Sequence, residues 1–364
     1  MNNRKTKQNA IRGKQKVRHR AVVLTAIPCE FEAVKRLLIR RSTHRMSDGT
    51  SVTSGRIDLH NSTWKIYCAE VGQGNSVAGA KTRTAIHDFK PEFCIFLGIA
   101  GTLKDADLSD VVVADRVYNY ERAKAGKELG VRPAMEEFRG RLLETAKSLA
   151  RQDYVNRVWE KGGATPRYKV IVGPIASGEK VVASLDAETY KFLQTHYNDA
   201  QAVETEGYGF AVAMRDYRFI HALLARGISD ALEKKAESDR NGQQEIAAIN
   251  VADFGFSCLN RVSLDTDSQA EQAGAWIQLE LRFDGKSPEE FESDLVQHVL
   301  QEFDPDASVG QINRRGRCVR STAYLSRKGL SRFRKSLRSG SRVAGALVDG
   351  VSDLQTGQTY WERR

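Results

Sequence analysis

No apolar run in this sequence reaches the ~20 residues needed to cross a bilayer, and the N-terminus is too basic and too polar for a secretory signal. Both absences predict a cytoplasmic protein with no membrane partner. Cysteine is scarce, at five in 364 residues. Cys29, Cys68, Cys94, Cys258 and Cys318 are scattered with no close pair, which speaks against a disulfide framework and against a metal site; three lie in or beside apolar runs, and buried reduced thiols are expected. His87, His196 and His221 lack the paired spacing of metal ligands, so neither a metal nor a cofactor is predicted. Acid is missing from two stretches: residues 1–20 carry eight Lys or Arg and residues 311–342 carry eleven, in both cases without an Asp or Glu.

What is present is enough for a folded protein. Hydrophobic residues make up 41% of the chain, and its length suggests two domains. The net charge of +10 is uneven, with twelve acids against two bases in residues 264–310 and near balance in 21–263. Residues 1–20 have no periodicity and read as a disordered basic arm, although such a tail also attracts nucleic acid.

Near-continuous apolar runs then alternate with helical patterns. The runs are Ala21–Ile27, Trp64–Val71, Phe93–Leu97, Val111–Ala114, Lys169–Val172 and Phe219–Leu224. Helices are predicted from Glu30, with Phe31, Val34, Leu37 and Leu38 on one face, and from Ala78-Gly79-Ala80 to near His87. Others fall near 136–151, over 186–196, from Ala231 to Lys235, and in an Ala- and Asn-rich stretch ending near Cys258. This alternation predicts an α/β domain over 21–262, three-layered, with a central mixed and largely parallel sheet covered on both faces. Glu204 and Glu206 fall on alternate positions, which on a strand share a face; like charges there are unfavourable unless something binds. Asp230 leaves the end of the 219–224 strand run, where open α/β folds place their sites. Taken alone, a Ser-Asp before a helix start reads as an N-cap.

A polar stretch, 263–274, reads as a linker, after which the pattern changes. Ile277, Leu279, Leu281 and Phe283 alternate with polar residues. Ser287-Pro288-Glu289-Glu290 is a capping box, opening a helix with Phe291, Leu295, Val299 and Phe303 on one face. A hairpin (309–325), a basic helix (326–338) and a last strand (343–351) complete a β-α-β-β-α-β order, predicting a small α+β, ferredoxin-like domain over 275–364.

Several turns in the first domain stand in a telling order: the strand-to-helix turn Thr25-Ala26-Ile27-Pro28-Cys29-Glu30, then the glycine turns Val71-Gly72-Gln73-Gly74-Asn75 and Gly98-Ile99-Ala100-Gly101. Asp110–Asp115, Ile175-Ala176-Ser177-Gly178, Val203–Gly207 and Arg226–Asp230 follow. Together they resemble the nucleoside phosphorylase and nucleosidase superfamily, with Ser109 where a glycine is usual. The resemblance implies cleavage of the N-glycosidic bond of a purine nucleoside or nucleotide. It also implies a homo-oligomer, a dimer or hexamer. Such cleavage builds positive charge on the ribose and negative charge on the departing base, which leaves more easily once N7 is protonated.

By that resemblance Asp230 is the acid, oriented by Ser229, and Glu206 accepts the ribose hydroxyls and favours the oxocarbenium-like transition state. Glu204 assists it or pairs with a nearby base. Glu30 is the general base or water positioner, although its place also suits an ordinary first-turn helix acid. Gly98, Ala100 and Gly101 bring backbone close to water, phosphate or sugar; Ser177, Gly178 and Val182 align with the loop that contacts the base. Thr205 replaces the methionine that usually packs beneath the sugar, which leaves substrate size open. Phe192, Tyr197, Tyr208 and Phe210 suit either base stacking or core packing. Neither Thr25–Glu30 nor Gly98–Leu103 contains the arginine that bound phosphate needs, which favours water as the nucleophile. Arg116, Arg122 and Lys124 are candidates for phosphates carried on the ribose, against the reading of solvated surface charge.

The C-terminal module loosely resembles modules on effectors of prokaryotic conflict systems. A nucleosidase joined to it suits an antiphage effector triggered by a regulatory protein or a nucleic acid. A phosphate-dependent phosphorylase and a nucleotide sensor without turnover remain as alternatives.

Overall fold

The computed structural model describes residues 17–59, 62–124, 130–152, 168–182, 184–230, 242–266, 275–282, 293–305, 307–315, 318–337, 342–343, 346–353 and 359–362. The chain divides into two compact units: Met1–Asp216 with Ile220–Asp265, and Tyr217–Phe219 with Thr266–Arg364.

The first unit begins β1 (Val17–Thr25), α1 (Pro28–Lys35), β2 (Ile39–Arg45), β3 (Ser51–Leu59), β4 (Ser62–Glu70), α2 (Asn75–Phe89), β5 (Phe93–Thr102) and β6 (Val111–Asn119). It continues with β7 (Ala123–Lys124), β8 (Gly130–Val131), β9 (Ala134–Glu137), α3 (Arg141–Gln152), β10 (Val170–Ser177) and α4 (Glu188–His196). β11 (Ala202–Glu204), α5 (Gly207–Arg215), β12 (His221–Asp230) and α6 (Gln243–Thr266) complete it. Most of the predicted apolar runs lie in buried strands: Val22, Val23, Leu24, Ile95, Phe96, Val112, Val113 and Leu224 are inaccessible to solvent; in the run Lys169–Val172, by contrast, Lys169 is exposed and Val170, Ile171 and Val172 are half-buried, and the buried part of β10 begins at Gly173. Strand order is β11-β10-β6-β12-β5-β1-β4-β3-β2, with β9 on β6.

The sheet is mixed, as expected, and the structure shows where strand direction changes. β1, β4, β5 and β12 run parallel, as do β6, β10 and β11, but the two sets meet antiparallel at β6–β12 and at β5–β11. Because β11 pairs with both β10 and β5, the run β5-β12-β6-β10-β11 closes into a ring. That closure draws the ends of β5, β10, β11 and β12 together, and the candidate site lies there.

Four boundaries differ from the sequence reading. Residues 17–20, expected in the disordered arm, belong to β1, where Val17 to Arg20 pair with Thr63 to Lys65. The sequence pattern gives no sign of the β2–β3 hairpin, whose strands are antiparallel to each other and to β4; β2 is exposed along its whole length and so has no apolar signature. The helix expected near 136–151 is β9 followed by α3. The linker expected at 263–274 begins later, because α6 continues through Thr266 with Leu259 and Val262 buried. The helix start expected at Ala231–Lys235 lies outside the described residues.

In the second unit, β13 (Ala275–Arg282), α7 (Ser293–Gln301), β14 (Ser308–Arg315), β15 (Cys318–Leu325), α8 (Arg327–Ser336), β16 (Arg342–Val343), β17 (Ala346–Asp353) and β18 (Thr359–Glu362) form one sheet with two helices. Its order is β14-β15-β13-β17-β16, with β18 on β17, and all pairs are antiparallel. Ile277, Leu279 and Leu281 pack with Val296, Leu300, Val319, Phe333 and Val348. The capping box at 287–290, with Phe283 and Phe291, lies outside the described residues.

Candidate active site

Proline at the first turn of α1 needs no N–H partner and pre-sets the helix, which puts Glu30 at the third helical position. Glu30 is buried, and its carboxylate folds back on the turn. Oε2 accepts from the N–H groups of Ala26 at 2.7 Å and Ile27 at 3.1 Å. Oε1 accepts from Ile99 N–H, in β5, at 2.8 Å. Burial pushes this carboxyl up to about 7, while Arg226 and the three N–H bonds pull it down.

Arg226 lies in the middle of β12 and is wholly inaccessible. Its Nη2 and Nε reach Glu204 Oε2 at 2.6 and 3.2 Å. Nη2 is also 3.7 Å from Glu206 Oε2, and the guanidinium stands 4.6 Å from the centre of the Phe96 ring. Glycine at 98 makes room for this meeting. A Cβ there would lie 2.8 Å from Arg226 Nη1 and 3.0 Å from Glu30 Oε1.

Glu204 and Glu206 converge on Arg226, but not as neighbours along a strand. β11 ends at Glu204, and Glu206 is the N-cap of α5. Glu204 accepts the N–H groups of Glu206 at 3.0 Å and Gly207 at 2.7 Å, so it both holds the helix start and neutralises Arg226. The pairing with a nearby base expected as one alternative for Glu204 is present, with Arg226 as that base. Glu206 Oε1 accepts from Gly74 N–H at 3.1 Å and from the Thr205 hydroxyl. Oε2 is left beside Arg226. Burial first, and the nearby Glu204 second, push the Glu206 carboxyl up.

Asp230 ends β12 opposite Gly101, across an irregularity next to the Ile228–Ala100 pair. It is buried, and Ser229 Oγ lies 3.3 Å from its Oδ2 and 3.5 Å from the Ala100 carbonyl. Ser177 ends β10 and Gly178 follows it, and Val182 is buried with Tyr120, Leu193 and Tyr197. Phe210 is core, edge-on to Phe96 at 5.6 Å.

The predicted residues Glu30, Gly98, Ala100, Gly101, Glu204, Thr205, Glu206, Ser229 and Asp230 are therefore brought together by hydrogen bonds, ion pairs and strand register. The basic trio is not. Arg116 pairs with Asp115 at 3.3 Å and stands opposite Glu137 in the β6–β9 ladder. Arg122 is exposed, and the side chain of Lys124 lies outside the described residues. Among the described contacts, none ties these three to Glu206 or Asp230. The sequence reading gives Arg226 no role of its own; its signal is a lone charge inside an apolar strand, which demands a buried partner. Among the described residues no cluster of His, Cys, Asp and Glu has metal-site geometry.

The sequence model of the Phosphorylase superfamily matches residues 20–259. The chain is 27% identical over 258 residues to "ATP nucleosidase Cap17" of Escherichia coli (strain KTE188), covering 64% of this chain and 50% of that one. It is 28% identical over 191 residues to 5'-methylthioadenosine/S-adenosylhomocysteine nucleosidase of Staphylococcus aureus (strain MRSA252), covering 51% of this chain and 77% of that one. The chain thus spans about half the length of the Cap17 relative. A crystal structure of the corresponding Helicobacter pylori nucleosidase superposes with a TM-score of 0.55 at 24% identity, over 68% of this chain and 100% of that one.

Proposed function

Because the chain belongs to the phosphorylase superfamily across residues 20–259, we propose that it is a nucleosidase that hydrolyses the N-glycosidic bond of an adenine nucleoside or nucleotide. One observation carries the choice of water over phosphate. The N–H groups of Ala26, Ile27 and Ile99 are the donors an inorganic phosphate would need at this corner, and the chain's own Glu30 carboxylate takes all three. Arg226 is likewise occupied by Glu204. An anion entering here would meet a carboxylate and find no free donor among these groups.

In this reading Glu30, once ionised, takes a proton from water, and the water oxygen attacks the ribose anomeric carbon. Glu206 holds the ribose hydroxyls through Oε2, with Thr205 and Gly74 fixing Oε1. Asp230 delivers a proton to purine N7 as the bond to N9 breaks, and Ser229 orients it. The products are free base and a ribose, or a ribose still carrying its 5'-substituent. The printed names of the relatives, a nucleosidase of ATP and nucleosidases of methylthioadenosine, support adenine as the base.

The test is a panel of adenine and guanine nucleosides and nucleotides, including ATP and methylthioadenosine, with base release measured with and without phosphate. Release at a rate unchanged by phosphate is expected. Ribose 1-phosphate as the main product from a nucleoside would give the phosphorylase reading instead.

The second unit supports a further part of the proposal. Its β14-β15-β13-β17 order with antiparallel neighbours suits a ferredoxin-like module that regulates the nucleosidase in answer to a protein or nucleic-acid trigger. A homo-oligomeric cytoplasmic effector of antiphage defence is the setting this reading suggests.

A further inference from the structure

Asn75 follows Gly74 at the start of α2, and its side-chain amide joins segments far away in the chain. Nδ2 donates to the Gly178 carbonyl at 3.1 Å, 103 residues on. Oδ1 accepts from the Ser177 hydroxyl at 2.9 Å and from Gly209 N–H at 2.8 Å, 134 residues on. Ser177 Oγ in turn accepts from Tyr208 N–H at 3.2 Å.

Those two amides belong to the first turn of α5, whose opening N–H groups have no partner inside their own helix. Side chains from other segments satisfy them in sequence: Glu204 takes Gly207, Ser177 takes Tyr208 and Asn75 takes Gly209. The residue that caps this helix is Glu206, so the same bonds fix the backbone that carries the ribose carboxylate. The preceding Gly74 N–H holds Glu206 Oε1 directly. The helices touch closely here, since a Cβ on Gly209 would lie 1.8 Å from the Asn75 carbonyl oxygen. Asn75 does no comparable service to its own helix, which Gly74 caps.

We propose that Asn75 is a positioning residue that locks the base loop, Ser177–Gly178, and the ribose carboxylate, Glu206, into one register, so that base and sugar are held on either side of the bond to be cut. This rests on the nucleosidase reading. An accepting oxygen alone would cap α5; the N–H to the Gly178 carbonyl adds the loop, and an amide supplies both.

The experiment uses the full-length chain and its Asn75→Ala, Ser177→Ala and doubly substituted forms. Adenine release from methylthioadenosine and ATP gives kcat and KM, adenine binding is measured by calorimetry, and the thermal midpoint reports the fold. Asn75→Ala is expected to lower kcat by about 10- to 100-fold, the scale of an ångström of misplacement, and to weaken adenine binding, with KM for the sugar-bearing substrate changing less than kcat. The doubly substituted form should lose less than the product of the two single losses, because both changes open one network. Folded Asn75→Ala with wild-type kinetics and adenine affinity would overturn the proposal, and so would losses that simply multiply. Should Asn75→Ala fail to fold, Ser177→Ala decides, and unchanged kinetics there would overturn it. A wild-type chain that binds adenine without cleaving either substrate, and loses that binding in Asn75→Ala, would sink the nucleosidase reading and keep the loop assignment. A wild-type chain that does neither would sink both.

Discussion

Arg226 Nη2 and Glu204 Oε2 are 2.6 Å apart, with side chains 0% and 2% exposed. Removing the cation would leave Glu204 buried with no counter-charge and bring it, Glu206 and Glu30 into mutual repulsion. Breaking such a pair from one side costs about 3–5 kcal/mol. Arg226→Met should therefore lower the urea midpoint by a corresponding amount. Arg226→Lys should recover part of it, since one ammonium cannot reproduce the bonds from both Nε and Nη2. A urea midpoint equal to wild type in Arg226→Met would show that the pair contributes nothing to stability.

Glu30 sets a pH dependence. Burial, its largest influence, raises the carboxyl to about 7 against an ordinary 4.5, so the folded chain favours the protonated form, and the base appears as pH rises through about 7. If Glu30 activates water, kcat/KM should climb about tenfold per pH unit below that value. Glu30→Gln should be nearly inactive and lose the climb. The same shift makes the contribution of Glu30 to stability fully present below 4.5 and lost as pH rises through about 7, a change on the order of 3 kcal/mol. In urea titrations between about pH 3.5 and about pH 8, roughly one pH unit beyond the titration at each end, wild type should lose stability relative to Glu30→Gln as pH rises. A flat difference between them would remove the linkage.

The parts of this site that the sequence revealed are those where local chemistry and strand ends coincide. Asp230 follows a run of buried apolar residues, and Glu30 follows a proline that starts a helix. Both are visible one residue at a time. α5 was not visible, because Gly207 and Gly209 argue against a helix. It forms through caps from Glu204, Ser177 and Asn75, all of them contacts made only in the folded chain. The closed ring of strands is invisible for the same reason: nothing in Ala202-Val203-Glu204 says that it pairs with both β10 and β5. The exposed strand β2 has no apolar period at all. Arg116, by contrast, pairs with its chain neighbour Asp115, a contact that adjacent charges in a sequence do not specify.

Asp230 should be indispensable to chemistry and dispensable to folding. Asn at this position keeps the shape and the hydrogen-bonding range toward Ser229 but has no acidic proton for purine N7. Asp230→Asn should lower adenine release by roughly 10²–10⁴-fold while leaving the thermal midpoint close to wild type. Adenine binding by calorimetry should persist, which separates a lost proton from a lost pocket. Near-normal turnover would take the acid role away from Asp230.

The second unit should act on control more than on chemistry. Every residue of the candidate site lies in the first unit, and the elements that position them, from β1 to α6, end at Thr266. The second unit has a core of its own, in which Ile277, Leu279 and Leu281 pack on Val296, Leu300 and Phe333. A chain ending at Thr266 is therefore expected to fold and to keep the in vitro kcat for adenine release within a few-fold of full length. If the module biases the site, the coupling between them should be on the order of 1–3 kcal/mol. That bias would appear as a difference of about 5- to 150-fold in activity between the two chains when a trigger is present, and as a difference in toxicity on expression in cells. A truncated chain that folds with a sharp thermal transition but releases no adenine would mean that the module completes the site. Identical activity and toxicity for the two chains, in cells with and without phage infection, would leave the second unit no regulatory part in the reaction.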